Sequence, residues 1–509
     1  MGKGNSVCEL AMMEPDQLKS GLAGLDLPVL YEVGGAVRDQ LLGKQPADVD
    51  LVTCGVNAEE LLEACRRIGE AEELIVAGQL VGVRLRASFT DPEGVEIALA
   101  RTERSTGPGH TDFEICPVEP HADLIGLAPA ERIGHQSLRV DLLQDLNRRD
   151  FTCNAIARYL FSGEIIDPLN GQSDLKAGLL QVISPNSFRD DPLRILRGLA
   201  RISQDNLQPT QETVQQAESF SEQIANISPE RIGAELLKII SGNNSACALS
   251  LARDWGALSV AIPELADSIG FDQQNRWHRL TVDQHTLAAL NQADKMKLDQ
   301  TTKLAVLFHD CGKPATAKPN KSGGLCYYRF SENDPLWTND PQRALDHETV
   351  GAQLTEQALA RMALGAQITS QVTELVKGHM FSAERDFRSR TLIKQQIRAR
   401  KMLARYGHSQ SVRLCQLRIC DLAGKKGQLE DGFDKDALAL IEMLSVQRSM
   451  PTSLKELSID GSDLQRMGLP EGPAYKKVLQ GLLKIVVSDP LQNDPQRLEK
   501  HALRAVKAL

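Results

Sequence analysis

The spacing of apolar residues changes character along the chain, and the changes divide it. Between Val29 and Leu99, short apolar stretches alternate with amphipathic ones. Val49 to Thr53 reads as a strand, and Leu61, Leu62, Cys65 and Ile68 fall on one face of a helix over 58–68. Val81, Val83 and Leu85 then alternate with Arg84 and Arg86, and after TDPEG the alternation resumes at Val95, Ile97 and Leu99. A period of two places one face in a core, so these are two strands joined as a hairpin. Residues 116–144, rich in Pro, Gly and His, read as a long loop with a helical piece. From about 171 the pattern is helical, in one block to about 275 and a second over 276–430. A segment near 315–346 carrying Pro, Asn, Gly and Asp interrupts the second block as a loop. The tail from about 431 is helical again, around IDGSDLQRMGLPEGPAYKKVLQGLLKIV. An α/β opening followed by helical blocks predicts an α+β protein.

Length and charge narrow the function. A chain of 509 residues exceeds what one hydrophobic core organises, so three or four domains are expected, and 42% hydrophobic residues supply a core for each. A net charge of -9 argues against a blanket electrostatic grip on nucleic acid, although a local basic groove in an acidic protein serves as well. Ten cysteines without a CxxC pair, in a chain with no leader pattern, predict reduced thiols and a cytoplasmic location. No run of about eighteen apolar residues appears, so no membrane partner is expected. Oligomeric state stays open between monomer and homodimer.

Candidate chemistry begins at YEVGGAVRDQLLGKQPADVDLVTC. Gly34 and Gly35 lack a Cβ, so backbone can approach a phosphate, and the helix that follows directs its free N–H groups and positive end at it. Arg38, one turn in, could clamp the same anion. Asp48 and Asp50, two apart on a strand, project to one face about 6–7 Å apart and repel unless a cation lies between them. Mg²⁺ takes such oxygen ligands together with substrate phosphates, so the pair suits two-metal nucleotidyl transfer. Glu96 has the opposite parity to Val95, Ile97 and Leu99 and could supply a third carboxylate. Asp-x-Asp also opens ordinary solvated turns, so the pair gains meaning only in combination. RRDFTCNA and RDDPLRILRGLAR provide that combination, with Asp191, Arg194, Arg197 and Arg201 read as one helix face. Asp and Arg one turn apart can present an acceptor and donors to a base edge.

VGGAVRDQLLG…DVDLV, EIALARTERSTGPGHTDF, RRDFTCNAIA, EIIDPLNG and DDPLRILR, in that order, resemble the successive motifs of the class II tRNA nucleotidyltransferases, the CCA-adding enzymes and their bacterial poly(A) polymerase relatives. The resemblance is close over residues 29–201 and looser beyond. It implies a polymerase-β-like head followed by a mainly α-helical neck, HD and tail domains. The expected divisions are an extension over 1–25, a head over 26–170, a neck over 171–275, an HD domain over 276–430 and a tail over 431–509. Asp48 and Asp50 match the family's magnesium-binding catalytic aspartates and Glu96 its third acidic position. Gly34, Gly35, Arg38, Arg149, Asp150, Asn154, Arg197 and Arg201 fall where the family contacts the triphosphate nucleotide, and Asp191 and Arg194 where it selects C or A. Asp190 stands where the family usually has Glu, and Arg197 and Arg201 are spaced by four where close bacterial relatives have three. The implied activity is addition of C, C and A to the 3′ end of tRNA from CTP and ATP. A poly(A) polymerase or A-adding enzyme with the same head is the nearest alternative.

Half of the ten histidines fall between residues 278 and 379. His285, His309 with Asp310, His347, His379 and, later, Asp421 resemble the ligand set of HD phosphohydrolase domains, in which an adjacent His-Asp is completed from other helices. Imidazole and carboxylate together suit Ni, Mn, Co or Fe better than Mg alone, and such a metal activates water for attack on a phosphate ester. Lys313 could assist the phosphate. An HD phosphohydrolase with an RNA-binding head is therefore the alternative of another class. Residues 385–405 hold eight basic side chains and one acidic, which reads as a solvated face or a track for RNA phosphates, and IDGSDLQRMGLPEGP resembles a tail element that could hold RNA backbone.

Overall fold

A computed structural model describes residues 15–46, 48–76, 78–88, 90, 93–105, 113–274, 280–319, 324–327, 346–381, 387–426, 434–468 and 472–506. The chain divides into two compact units, Met1–Glu235 with Asp254–Ala261, and Leu236–Arg253 with Ile262–Leu509.

The first unit opens with helix α1 (Pro15–Leu22) and strand β1 (Tyr31–Val33). Helix α2 (Gly35–Leu41), β2 (Asp50–Thr53), α3 (Ala58–Arg66), β3 (Glu70–Val76), β4 (Gln79–Arg86) and β5 (Val95–Leu99) follow. The ribbon β6 (Arg101–Ser105) and β7 (Phe113–Pro117) pairs apart from the main sheet, and α4 (Gln136–Asn147), β8 (Ala157–Tyr159) and β9 (Ile165–Ile166) complete the head. The seven-stranded sheet runs β3-β4-β5-β2-β1-β8-β9, with β2 and β5 parallel and the other neighbours antiparallel. Alternation sorts its residues onto two cores. Leu51, Val83, Leu85, Ile97 and Leu99 pack under α3, with Val49 against the same cluster. Val33, Val52, Ala155 and Ala157 face the opposite way, with Leu138, Leu142 and Leu146 of α4. The expected hairpin over 81–99 is β4 and β5. Helix α4 lies in the stretch read as a loop with a helical piece, its apolar residues recurring every four positions and so facing the sheet as one stripe.

Helix α3 starts on a capping box in which the side chain of Asn57 accepts from the Glu60 amide and Glu60 returns the bond. Beyond the sheet, α5 (Leu193–Asp205) buries Ile195, Leu196, Leu199 and Ile202. It packs so closely that a Cβ on Gly198 would lie 2.9 Å from the ring of Phe151. It stops at Asn206, whose φ of 58° ends the helix in the left-handed region.

The second unit is helical: α6 (Val282–Lys295), α7 (Gln300–Phe308), α8 (His347–Arg361), α9 (Ala366–Gly378), α10 (Leu392–Lys426, bent at Gly407), α11 (Lys435–Val446), α12 (Pro473–Ser488) and α13 (Pro495–Val506) are its longest described helices after residue 280. Gly312 lets the turn after α7 meet α8, since a Cβ there would lie 2.3 Å from the His347 carbonyl oxygen. Most of the loop expected at 315–346 lies outside the described residues. Among the described residues no helix is long and apolar enough to cross a membrane.

Candidate functional sites

Gly34 caps α2 with φ 69° and ψ −126°, a conformation that side chains other than hydrogen resist. The guanidinium of Arg149, just past the end of α4, covers it: a Cβ on Gly34 would lie 2.8 Å from Arg149 Nη1. Next along the sheet, β2 begins at Asp50, so Asp48 precedes the strand rather than lying on it as expected. Alternation still holds there, because Val49 packs into the core under α3 while Asp50 shares parity with Val52 on the opposite face. Asp50 is the register partner of Glu96 on parallel β5, which places the two on one side of the sheet. Partial burial pushes the Asp50 carboxyl up; Asp48 and Glu96 add to the rise and Arg149 opposes it. The structure thus brings Asp48, Asp50, Glu96, Gly34 and Arg149 into one electrostatic neighbourhood. Glu96 is also paired with Arg84 of β4. A carboxylate pair that resists sharing negative charge, beside a glycine turn that a methyl group would fill, fits an oxygen-liganded divalent ion and a phosphate.

Arg38 is placed differently from the expected anion clamp. It is buried, with Nη1 donating to Asn154 Oδ1 at 2.6 Å, Nε and Nη2 to Asp39 Oδ1 at 2.9 and 2.6 Å, and Nε 3.5 Å from Asp205 Oδ2. Asp205 also holds Arg201 at 3.1 Å and Lys44 at 2.6 Å. Burial, then the nearby Arg38, pull the Arg201 guanidinium below its ordinary value. Asp150 accepts from Asn154 Nδ2 and the Phe151 amide, each at 2.9 Å, and pairs with Arg197 at 2.9 Å. Burial alone would raise its carboxyl; Arg197, Asn154 and Arg194 hold it low. Asp150, Asn154, Arg38, Arg197 and Arg201 therefore form one interlocked network.

The shared helix face expected for Asp191, Arg194, Arg197 and Arg201 is corrected at its first member. Asp191 lies before α5 with extended φ and ψ of −141° and 99°, because a residue preceding proline avoids the helical region and Pro192 follows. Its Oδ1 accepts from the Leu193 amide at 3.1 Å, while Arg194 donates to Ser187 Oγ at 3.1 Å and to the Arg148 carbonyl at 2.8 Å. Two aspartates whose side chains are buried against these arginines escaped the sequence reading, Asp145 and Asp205. The first lies three and four residues before Arg148 and Arg149, a spacing that marks helix pairs and could have exposed it.

The second unit holds a denser site. His285 comes from α6, His309 and Asp310 from the end of α7, His347 from the start of α8, His379 from the end of α9 and Asp421 from α10; all six are buried. Their ligand atoms form two sets, each within 4.8 Å: His285, His309, Asp310 and Asp421, and Asp310, His347 and His379. Asp310 belongs to both. Nδ1 of His309, His347 and His379 lies 2.8, 3.2 and 2.6 Å from the carbonyls of Val306, Tyr327 and Val376. A carbonyl only accepts, so these nitrogens carry protons, and in neutral His347 and His379 that leaves Nε2 with a lone pair. Nε2 of His347 and of His379 then face each other at 3.3 Å, as His285 and His309 do at 3.1 Å. Burial depresses His347 to about 4 and, with its neighbouring imidazoles, His379 to about 3, so no proton fills that gap near neutrality. The facing lone pairs and the mixed nitrogen and oxygen donors fit a divalent cation. Burial opposes charge on His309, yet Asp310 and Asp421 carry it up to about 9. Lys313 meets Asp310 and Lys425 meets Asp421, each at 2.6 Å.

In the basic run at 385–405, Arg400 is a packing residue. It is buried and donates to the carbonyls of Val487 and Ser488 at 2.7 and 3.0 Å and to Gln447 Oε1 at 2.8 Å, so it is not part of an RNA track.

Residues 30–181 match the family described as the Poly A polymerase head domain, 206–269 the "Probable RNA and SrmB- binding site of polymerase A", and 282–422 the HD domain. These domains imply dependence on divalent metal. The chain is 34% identical over 304 residues to the Multifunctional CCA protein of Thioalkalivibrio sulfidiphilus (strain HL-EbGR7), covering 58% of this chain and 66% of that protein. It is 34% identical over 293 residues to the protein of the same name from Pseudomonas fluorescens, covering 56% and 64%. The matched stretch thus spans just under two thirds of these relatives. The fold is shared with a CCA-adding enzyme of Bacillus stearothermophilus in complex with CTP, at TM-score 0.60 and 18% identity over 98% of this chain and 99% of that one. A Thermotoga maritima CCA-adding enzyme complexed with tRNA gives TM-score 0.54 and 17% identity over 97% of each chain.

Proposed function

We propose that this chain, which belongs to the class II tRNA nucleotidyltransferase and poly(A) polymerase family, adds C, C and A to tRNA 3′ ends from CTP and ATP in the cytoplasm. Its second unit is proposed to hydrolyse phosphate esters. The observation that carries the first reading is the alignment of Asp50 with Glu96 across β2 and β5, on the side where Arg149 covers the glycine turn.

In this reading Asp48 and Asp50 hold Mg²⁺, which when bound supplies a Lewis acid for the α-phosphate and the leaving pyrophosphate. The protein's own groups do the rest. Gly34 admits the triphosphate to backbone distance, and Arg149 offsets its charge. Asp150, fixed by Asn154 and Arg197, orders the nucleotide beside the network of Arg38 and Arg201. Asp191 and Arg194, positioned by the start of α5, read the base edge, and because Arg194 is braced by Ser187 and the Arg148 carbonyl its donors present one fixed pattern. In the HD domain, His285, His309, Asp310, His347, His379 and Asp421 hold Ni, Mn, Co or Fe, and Lys313 supplies positive charge to the ester phosphate.

The test is incubation of purified protein with tRNA lacking its 3′ triplet and single labelled nucleotides. Incorporation of CTP followed by ATP is expected. Incorporation of ATP alone would assign a poly(A) polymerase or A-adding enzyme, and incorporation of neither would leave the HD hydrolase with an RNA-binding head.

A further inference from the structure

Arg149 is a long side chain at the end of a helix, and something must keep its guanidinium over Gly34. Asp145, fully buried on the sheet-facing side of α4, is the group that does so. Its Oδ2 accepts from Arg149 Nη2 at 2.9 Å and Nε at 3.3 Å, while its Oδ1 accepts from Arg148 Nη2 at 2.7 Å and Nε at 2.9 Å. Held by both neighbours, the carboxylate cannot swing. It also occupies two of the three nitrogens of the Arg149 guanidinium, on one edge of its planar fork. The third, Nη1, is left directed at Gly34. Burial by itself would raise the Asp145 carboxyl, yet Arg149 and Arg148 hold it below the usual carboxylate range, so it stays ionised at neutral pH.

We infer that Asp145 is a positioning residue for nucleotide addition: it orients Arg149 so that one guanidinium nitrogen faces the triphosphate, and it acts on the reaction only through that arginine. The inference rests on the reading of the head as a nucleotidyltransferase. Lysine could not replace Arg149 here, because a single ammonium cannot satisfy a carboxylate along one edge and present a separate donor along another.

Wild type, Asp145→Asn, Arg149→Ala and the double variant, all full length, are compared for CTP incorporation into tRNA lacking its 3′ triplet, with kcat and KM resolved and thermal melting recorded. For Asp145→Asn the KM for CTP should rise about tenfold or more, since loss of orientation alone costs that much. Adding Asp145→Asn to Arg149→Ala should lower kcat/KM by less than about threefold further, because groups that act as a unit are not additive. A wild-type KM in Asp145→Asn, or fully additive losses in the double variant, would overturn the inference. If Asp145→Asn melts below the assay temperature, Arg149→Lys decides: a KM within about twofold of wild type overturns the two-edge hold, and a rise of about tenfold supports it. Wild type that incorporates no nucleotide overturns both readings, whereas active wild type with an unaffected variant overturns this one alone.

Discussion

Replacing Gly34 by Ala tests the head at its narrowest point. At φ 69° and ψ −126° an L side chain is strained, at a cost of about 1–3 kcal/mol. The new methyl would also meet Arg149 Nη1 at 2.8 Å, so the guanidinium must retreat by about 0.7 Å to reach the roughly 3.5 Å of ordinary carbon contact. A long side chain normally yields at little cost, but this one is tied to Asp145 through Nε and Nη2. Retreat therefore stretches two charge-assisted bonds or displaces the turn itself. Strain alone should lower the melting temperature of the first unit by about 2–4 °C per kcal/mol, and a displacement approaching 1 Å in a phosphate-positioning group should reduce kcat/KM for CTP by about 10²-fold. Calorimetry and single-turnover CTP incorporation measure the two effects. A variant that melts earlier yet retains wild-type kcat/KM would refute the argument that this turn and its arginine hold the triphosphate.

Asp310→Asn should remove divalent metal from the HD site, measured by elemental analysis after gel filtration, because Asp310 belongs to both ligand sets; CTP incorporation should stay within about twofold of wild type. Chelated, metal-free protein should show a bell-shaped stability profile in urea melts. Unfolded imidazoles take up protons near pH 6.5, but folded His347 and His379 do so only at about 4 and 3, so stability is lost as pH falls from roughly 6.5 towards 4. His309 has the opposite sign: its contribution is complete below about 6.5 and is lost as pH rises through about 9, placing the maximum near 6.5, and a flat profile across this range would contradict the buried imidazole cluster. Arg400→Met should destabilise the second unit by about 2–4 kcal/mol in chemical denaturation, by removing three hydrogen bonds and stranding two carbonyls, while leaving tRNA affinity unchanged.

The parts of this architecture that sequence made legible are those governed by local periodicity. Val83, Leu85, Ile97 and Leu99 identify their strands because a one-sided core demands a period of two, and the same parity places Glu96 beside Asp50. The HD ligands were legible as a set, since few helices gather that many histidines without a metal. Asp191 was misassigned because counting in threes and fours runs straight through a helix cap, although Pro192 carried the warning. The surroundings of Arg38 were not legible for a different reason: its partners Asn154 and Asp205 are brought to it by the fold, not by sequence spacing. Likewise, no pattern in the chain reveals that Asp310 belongs to two ligand sets, or which imidazole nitrogen faces a backbone carbonyl, because both depend on how α7, α8 and α9 meet.

Three buried aspartates set the electrostatics of the proposed nucleotide site: Asp145 holds Arg148 and Arg149, Asp150 holds Arg197, and Asp205 holds Arg38, Arg201 and Lys44. Removing one partner of the pairs buried on both sides, those of Arg38, Arg148, Arg149 and Arg201, costs about 3–5 kcal/mol, since the other is left charged in a poor solvent; Arg197 and Lys44 are half exposed and their pairs are worth less. The arginines are therefore arranged before any triphosphate arrives, and the Asp145 and Asp205 carboxylates are each shared among several cations, so that positive charge remains in excess around them. A triphosphate entering here meets donors already oriented, and so avoids much of the reorganisation that free arginines would require. The HD centre solves the converse problem. There the buried groups are mainly lone pairs without protons, and the incoming charge that satisfies them is a cation.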